Sequence, residues 1–458
     1  MNTLVLNALC LKHTLSKHPC PAPALKRNPN INPMALLPLL TFIVLYLLVS
    51  IISGDFYKVP ITVAFLISSV VAIATLRGYT IPQRIKIFSR GASSENMMLM
   101  IWIFMLAGAF AASANAMGSI DNTVNLALSL LPSQMLLPGV FLAACFISIS
   151  VGTSVGTVVA LVPIATGLAE ETGVSVAMMT GAVVGGAFFG DNLSFISDTT
   201  VVATQTQGCL MSDKFRANLA IVIPAAILIF LLYLVIGSEV GNVPAVSNVD
   251  YIKVLPYLAV LVLAACGINV MAVLVIGILL TGAIGIGGGT YDFFGWMESM
   301  SKGLTNVSEL IIVTMLAGGM LETVRVNGGI DMIIKRITRH VNNRKGAEAA
   351  IALLVTVVDF CTANNTVAII TVGPIARDIS EQFHVDPRRA ASILDTFSCF
   401  AQGIIPYGAQ LLMAAGLAYI SPMEIIPCLY YPFAIGIIAT LYILLKGDKK
   451  KKIEKVTV

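Results

Sequence analysis

Apolar residues run along this chain in stretches close to the ~20 needed to cross the hydrocarbon core of a bilayer. The clearest are Met34–Ile52, Val59–Leu76, Asn96–Met117, Arg216–Gly237 and Ile425–Leu445. Other apolar stretches are too long for one span and are interrupted by small and polar residues. Ser133–Leu168 is broken by SISVGTSVGT (Ser148–Thr157), and Gly346–Ala376 by DFCTANNT (Asp359–Thr366). Further breaks fall at GDNLSFISDTT (Gly190–Thr200) and LDTFSCFAQGIIPYGAQ (Leu394–Gln410). Irregular backbone persists at membrane depth only where protein buries it or a wet cavity solvates it. The expected fold is therefore all-α and polytopic, with discontinuous helices and re-entrant hairpins.

The pattern repeats. MLAG begins at Met105 and again at Met315, a separation of 210 residues (315 − 105). At the same offset Gly118-Ser119-Ile120-Asp121 answers Gly328-Gly329-Ile330-Asp331. Further on, Thr157-Val158 answers Thr366-Val367 and Pro163-Ile164-Ala165 answers Pro374-Ile375-Ala376. Charge sets the expected orientation. The loop Arg77–Arg90 before the first repeat is basic and Gly118–Gln134 carries no Lys or Arg; in the second half Thr290–Ser308 holds one Lys and Asn327–Lys345 is strongly basic. By the positive-inside rule, matching loops lie on opposite sides, which is the signature of two inverted-topology repeats. The expected organisation is an N-terminal extension (1–33, disordered or artefactual), N-terminal spans (34–94), repeat one (95–210), linking spans (211–304), repeat two (305–411), a C-terminal span (412–446) and a basic cytoplasmic tail (447–458).

Composition agrees with this class. Of 458 residues 57% are hydrophobic and 11% charged, against roughly a quarter charged in soluble domains; mean hydropathy is +0.89. The basic clusters flank apolar spans, so they are read as cytoplasmic loops rather than as a nucleic-acid surface. The eight cysteines make no disulfide framework; Cys145, Cys209, Cys266, Cys361, Cys399 and Cys428 lie within or beside apolar segments without metal-ligand spacing and read as small buried side chains. The histidines (His13, His18, His340, His384) fall outside the broken helices, and GAIGIGGGT (Gly282–Thr290) lacks the strand and helix of a nucleotide loop. Neither enzyme chemistry nor a cofactor is expected.

The breaks carry the acidic residues Asp191, Asp198, Asp359 and Asp395. A carboxylate at that depth is costly unless compensated. No Lys, Arg or His lies between Arg90 and Lys214 or between Arg389 and Lys446, which leaves Arg325 as the obvious cation from elsewhere in the fold. Otherwise the compensating charge is an exogenous cation or a proton. The surrounding oxygens suit sodium: Ser194, Ser197, Thr199 and Thr200 beside Asn192 in the first half, and Thr362, Asn364, Asn365, Thr366, Thr396, Ser398 and Gln402 in the second. Asp191, Asp198 and Asp359 are the expected sodium ligands, with Asp395 a secondary candidate. Burial favours the protonated form of a carboxyl and a bound cation favours the ionised form, so one site would serve both ions in turn. Three blander roles compete: hydroxyls bonded only to backbone, glycines of Gly181–Gly190 used for helix packing, and a Glu322–Arg325 pair that is structural or a gate.

FGDNLSFISDTT (Phe189–Thr200), TANNTVAIITVGPIA (Thr362–Ala376) and ASILDTFSCFAQGIIPYGAQ (Ala391–Gln410) together resemble the NhaC-type sodium/proton antiporters of the ion transporter superfamily, over roughly residues 35–445. The family's first motif usually reads GDKLSPLSDTT. Asp191, Ser194, Ser197, Asp198, Thr199 and Thr200 match it, while Asn192 replaces its lysine and Phe195 its proline. The resemblance implies an inverted-repeat fold with paired re-entrant hairpins, a transport domain moving against a scaffold, often as a homodimer, in the inner membrane with a cytoplasmic C-terminus. The lost lysine removes a positive charge beside Asp191 and so bears on ion preference and coupling. An exchanger of a small carboxylate or amino acid, coupled to sodium or protons on the same fold, is the alternative.

Overall fold

The computed structural model describes residues 33–49, 52, 60–195, 197–238, 249–266, 268–339 and 341–445. Most of the expected N-terminal extension, the basic tail and His340 lie outside them. The described residues are helical throughout, with no strand. Six helices are long and apolar enough to span a membrane, or seven if the bent pair Pro387–Ala418 and Pro422–Cys428 counts as one span. This is a multi-pass membrane protein. Of the five spans expected above, two are met by full-length helices and three by shorter apolar ones: Met34–Tyr46, Ile61–Thr75 and Tyr430–Leu445.

The first half runs α1 (Leu37–Phe42), α2 (Ile61–Thr75), α3 (Ile81–Ala92), α4 (Glu95–Met117), α5 (Ser119–Leu130), α6 (Leu136–Val151), α7 (Ser154–Thr172), α8 (Val176–Leu193), α9 (Asp198–Gln207) and α10 (Met211–Gly237). The second runs α11 (Tyr251–Ala265), α12 (Val270–Gly287), α13 (Phe293–Asn306), α14 (Ser308–Val326), α15 (Gly329–Thr338), α16 (Arg344–Thr362), α17 (Asn365–Gln382), α18 (Pro387–Ile404), α19 (Ala409–Ala418), α20 (Pro422–Ile425) and α21 (Tyr430–Leu445).

The order of elements recurs, and so does the backbone. Among the described residues, three that are not glycine have positive φ: Ala363 (51°), His384 (54°) and Tyr419 (56°). Each stands 211 residues after a glycine in the same left-handed conformation: Gly152 (72°), Gly173 (70°) and Gly208 (68°). Left-handed backbone is strained for a residue with a Cβ, and here it recurs at one constant offset near three pairs of helix ends. Pro163 inside α7 and Pro374 inside α17 mark the same place in each.

Packing partners are exchanged between the halves. Helix α4 packs on α12 and α13, while α14 packs on α2 and α3; α9 lies on α17, and α19 on α7. Both crossings of the first kind meet at glycines. A Cβ on Gly108 would strike Gly303, and one on Gly91 would strike Gly318. Small residues of this kind let helices approach closely where lipid supplies no hydrophobic drive. The same holds for Gly181–Gly190: side chains at Gly186 and Gly190 would collide with α6, and at Gly181 with Cys428. Packing is the role the structure gives these glycines.

Candidate functional site

Each long interrupted stretch has become two half-helices that stop in mid-protein. The α6/α7 break is Gly152–Thr153, and the α16/α17 break is Ala363–Asn364. Asn364 caps α17 by accepting from the Val367 N–H at 2.9 Å, which satisfies one of the donors a helix start leaves open. Ser197 does the same for α9, accepting from the Thr200 N–H at 3.3 Å.

All four breaks converge on one cavity of about 170 Å³. Gly152–Val155 line it from the first break, Asp191, Asp198 and Thr199 from the second, Asn364–Thr366 from the third, and Gln402, Ala409 and Gln410 from the fourth. Leu99, Met100 and Ile103 of α4 close one wall. The N-termini of α7, α9, α17 and α19 therefore all begin at its edge, and helix ends of this kind carry partial charge.

Asp191 is 4% exposed. One carboxylate oxygen accepts from the backbone N–H of Ser154 at 3.1 Å, the first residue of α7. No basic side chain pairs with it among the described residues. Its main-chain carbonyl accepts from the Ser197 hydroxyl at 2.9 Å, with Thr199 and Thr200 hydroxyls at 3.4 and 3.5 Å. A second chain of bonds comes from the other half. Gln402 Nε2 donates to Gln410 Oε1 at 2.9 Å, and Gln410 Nε2 donates to Ser154 Oγ at 2.9 Å. Gln402 Oε1 is buried with no partner, so an acceptor stands ready beside the cavity.

The other expected site residues are distributed as follows. Asp198 lies on the cavity lining in the first turn of α9 but is exposed, so it stands at the mouth rather than sunk in the protein. Thr199, Asn364, Asn365, Thr366 and Gln402 line the same cavity. Ser194 is buried and bonds the Ile149 carbonyl at 3.0 Å, and Ser197 is engaged as a cap. Thr362 belongs to a neighbouring cavity of about 300 Å³, which also takes in Arg90, Glu322, Arg325 and Asn364. Asn364 is thus common to both spaces. Asp359 is fully buried behind the lining, and neither carboxylate oxygen receives a hydrogen bond.

Asp395 does have a basic partner, and it comes from elsewhere in the fold, the possibility the sequence left open. Lys214 Nζ lies 2.9 Å from Asp395 Oδ2, with both side chains sealed from solvent. Arg325, the cation expected from elsewhere, is instead paired to Glu322 through bonds of 2.6 and 2.7 Å. Lys214 is in the first turn of α10, a position that in sequence reads as an interfacial lysine. Ser154 and Gln410 were also outside the expected ligands, although both fall within the interrupted segments.

Half-helices from both parts of the chain meet at this buried carboxylate, an arrangement of the kind membrane transporters use to hold ions. The chain belongs to the Na+/H+ antiporter family, whose profile matches residues 24–238 and again 242–446. It is 23% identical over 430 residues to the malate-2H(+)/Na(+)-lactate antiporter of Bacillus subtilis, covering 83% of this chain and 89% of that one. It is 23% identical over 377 residues to the Na(+)/H(+) antiporter NhaC of Alkalihalophilus pseudofirmus, covering 75% and 81%. Among solved structures, the Alcanivorax borkumensis YdaH transporter aligns with 90% of this chain and 97% of its own, at a TM-score of 0.39 and 11% identity.

Proposed function

We propose that this chain exchanges sodium for protons across the inner membrane by alternating access, using Asp191 as the shared carrier of both ions. The observation that carries the reading is the Asp191 carboxylate itself: buried, bonded to a helix N-terminus, open to a cavity of oxygen ligands and without a basic partner. Sodium entering beside Asp191 displaces its proton, and departure of sodium lets the proton return. Asp198 at the mouth attracts the cation, while Thr199, Asn364, Asn365, Thr366 and Gln402 offer oxygens around it. Asp359, buried with open acceptor oxygens, is the second-half carboxylate of the site.

The matched left-handed positions, the exchanged packing partners and the reversed loop charges support two halves of inverted topology. The basic segments around Arg77–Arg90 and Lys335–Lys345 then face the cytoplasm, as does the C-terminus. In proteoliposomes, an imposed sodium gradient is expected to move protons in the opposite direction with no other solute present. Proton flux that needs an organic acid would refute the reading.

One observation favours a second reading. The neighbouring cavity of about 300 Å³ carries Arg90 beside the Glu322–Arg325 pair, a basic side chain that suits a small carboxylate, and one relative is named as a malate and lactate exchanger. Radiolabelled carboxylate uptake driven by sodium or protons separates this from simple ion exchange.

A further inference from the structure

A second polar centre lies behind the cavity, built around Lys214. The side chain is fully buried. Its ammonium meets three oxygens: the Asn192 carbonyl at 2.9 Å, Thr200 Oγ1 at 2.6 Å and Asp395 Oδ2 at 2.9 Å. An ammonium has three donors, so the group is saturated by a backbone carbonyl, a hydroxyl and a carboxylate. Those are the oxygen types that hold a hard metal cation.

More acceptors surround it than the lysine uses. Asn192 Oδ1, Asn218 Oδ1 and Asp395 Oδ1 are buried without a partner, although Asn218 Nδ2 is spent on the Asn192 carbonyl and Asp395 Oδ2, each at 2.8 Å. None of Asn192, Lys214, Asn218 or Asp395 lines the cavity. The two centres are nonetheless adjacent. Asn192 follows Asp191 in sequence, and Thr200 Oγ1, which accepts from Lys214, lies 2.9 Å from the Ser197 hydroxyl oxygen.

We propose that Lys214 is a tethered cation, its ammonium permanently filling a second sodium-type seat formed by Asn192, Thr200 and Asp395, so that the transported load is held to one sodium ion. The identity of the mobile ion rests on the sodium/proton reading; the seat itself rests on the geometry. A strongly hydrated point charge on a flexible four-carbon stem is the side chain most like a small cation, and here it is anchored to α10 and cannot leave. Cutting the stem back empties the seat but leaves Asp395 charged and surrounded by acceptors, a vacancy that sodium fits and protein does not fill.

The test is the number of sodium ions bound by the purified full-length protein, measured with radioactive sodium at saturation together with the Hill slope. Wild type is expected to bind one ion with a slope near one. K214A is expected to bind two with a slope above one. A wild-type count other than one, or a folded K214A that still binds one, overturns the proposal. The wild-type count needs no variant, so a K214A that fails to fold does not shield it. K214M/D395N removes the seat's charge with its tethered occupant and is expected to keep a single ion; a second ion there also overturns it. Sodium-driven proton flux is read separately: the expected counts without proton movement would uphold the seat and reject the exchange reading.

Discussion

Gln410 Nε2 donates to Ser154 Oγ at 2.9 Å, joining two residues 256 positions apart and placed at the starts of half-helices from opposite halves of the chain. Ser154 also gives its backbone N–H to Asp191. The carboxylate that would carry the ion is thus held by a helix end whose own hydroxyl is steadied by the other half. Gln402 extends the chain to the Ala363 carbonyl at 3.3 Å, so all four breaks are tied together through one line of bonds.

Shortening that line is expected to cost ion affinity. Q410A removes the donor to Ser154 and leaves Gln402 only its longer bond to the Ala363 carbonyl, and an orphaned buried group costs about 1–3 kcal/mol. The apparent sodium affinity should fall by roughly 5–150-fold, with a smaller change in maximal rate. Sodium-dependence curves in proteoliposomes check this, and an unchanged half-saturation would show that the bond does not position the site.

The Lys214–Asp395 pair makes a different kind of prediction. Neutralising one partner of a buried pair leaves a bare charge, at a cost of about 3–5 kcal/mol. D395N should therefore lower the melting temperature and yield sharply, and K214M/D395N should recover most of both. Thermal melts followed by size-exclusion chromatography decide it; equal stability of D395N and wild type would mean the pair is solvated in the working protein.

Competition at Asp191 fixes the sign of the pH dependence. With protons and sodium sharing one carboxylate, as proposed, lowering the pH should raise the sodium concentration needed for half-maximal exchange, approaching tenfold per unit once the proton dominates. The rate at saturating sodium should change far less. A fall in maximal rate at constant half-saturation would mean that protons act at a separate place.

Close helix contacts supply a stability prediction that leaves the ions aside. A Cβ on Gly190 would run into Ser148, whose hydroxyl already donates to the Ala187 carbonyl at 2.6 Å. G190A should destabilise the protein by about 1–3 kcal/mol through overpacking, and G190A/S148G should recover part of that loss. Thermal melts of the two variants provide the measure.

Much of this arrangement is legible in the sequence. The apolar runs place the spans, and interrupted runs point to half-helices because lipid does not tolerate loose backbone. Asp191 is picked out by an acid at a break with no basic residue nearby in the chain, and the lining of Asn364, Asn365, Thr366 and Gln402 follows from the same breaks. Lys214 was hidden because its role depends on the turn after α9, which folds the start of α10 back against the Asp395 carboxylate; in the linear chain it looks like an ordinary lysine at a helix entrance. Asp198 and Asp359 sit in equally suggestive segments, yet one is exposed and the other sealed. The direction in which each half-helix turns its side chains decides that, and spacing does not encode it. Ser154 reaches Asp191 through its backbone N–H, a group every residue but proline possesses, so that bond leaves no signal in the residue type.

Asp191 is the centre of the account, and D191N keeps its shape while removing the charge that sodium and protons would share. In everted membrane vesicles with an established proton gradient, wild-type protein should collapse the gradient when sodium is added, and D191N, present at equal amount, should leave it standing. Sodium-induced collapse by D191N at the wild-type rate would contradict the mechanism and move the ion site elsewhere in the molecule.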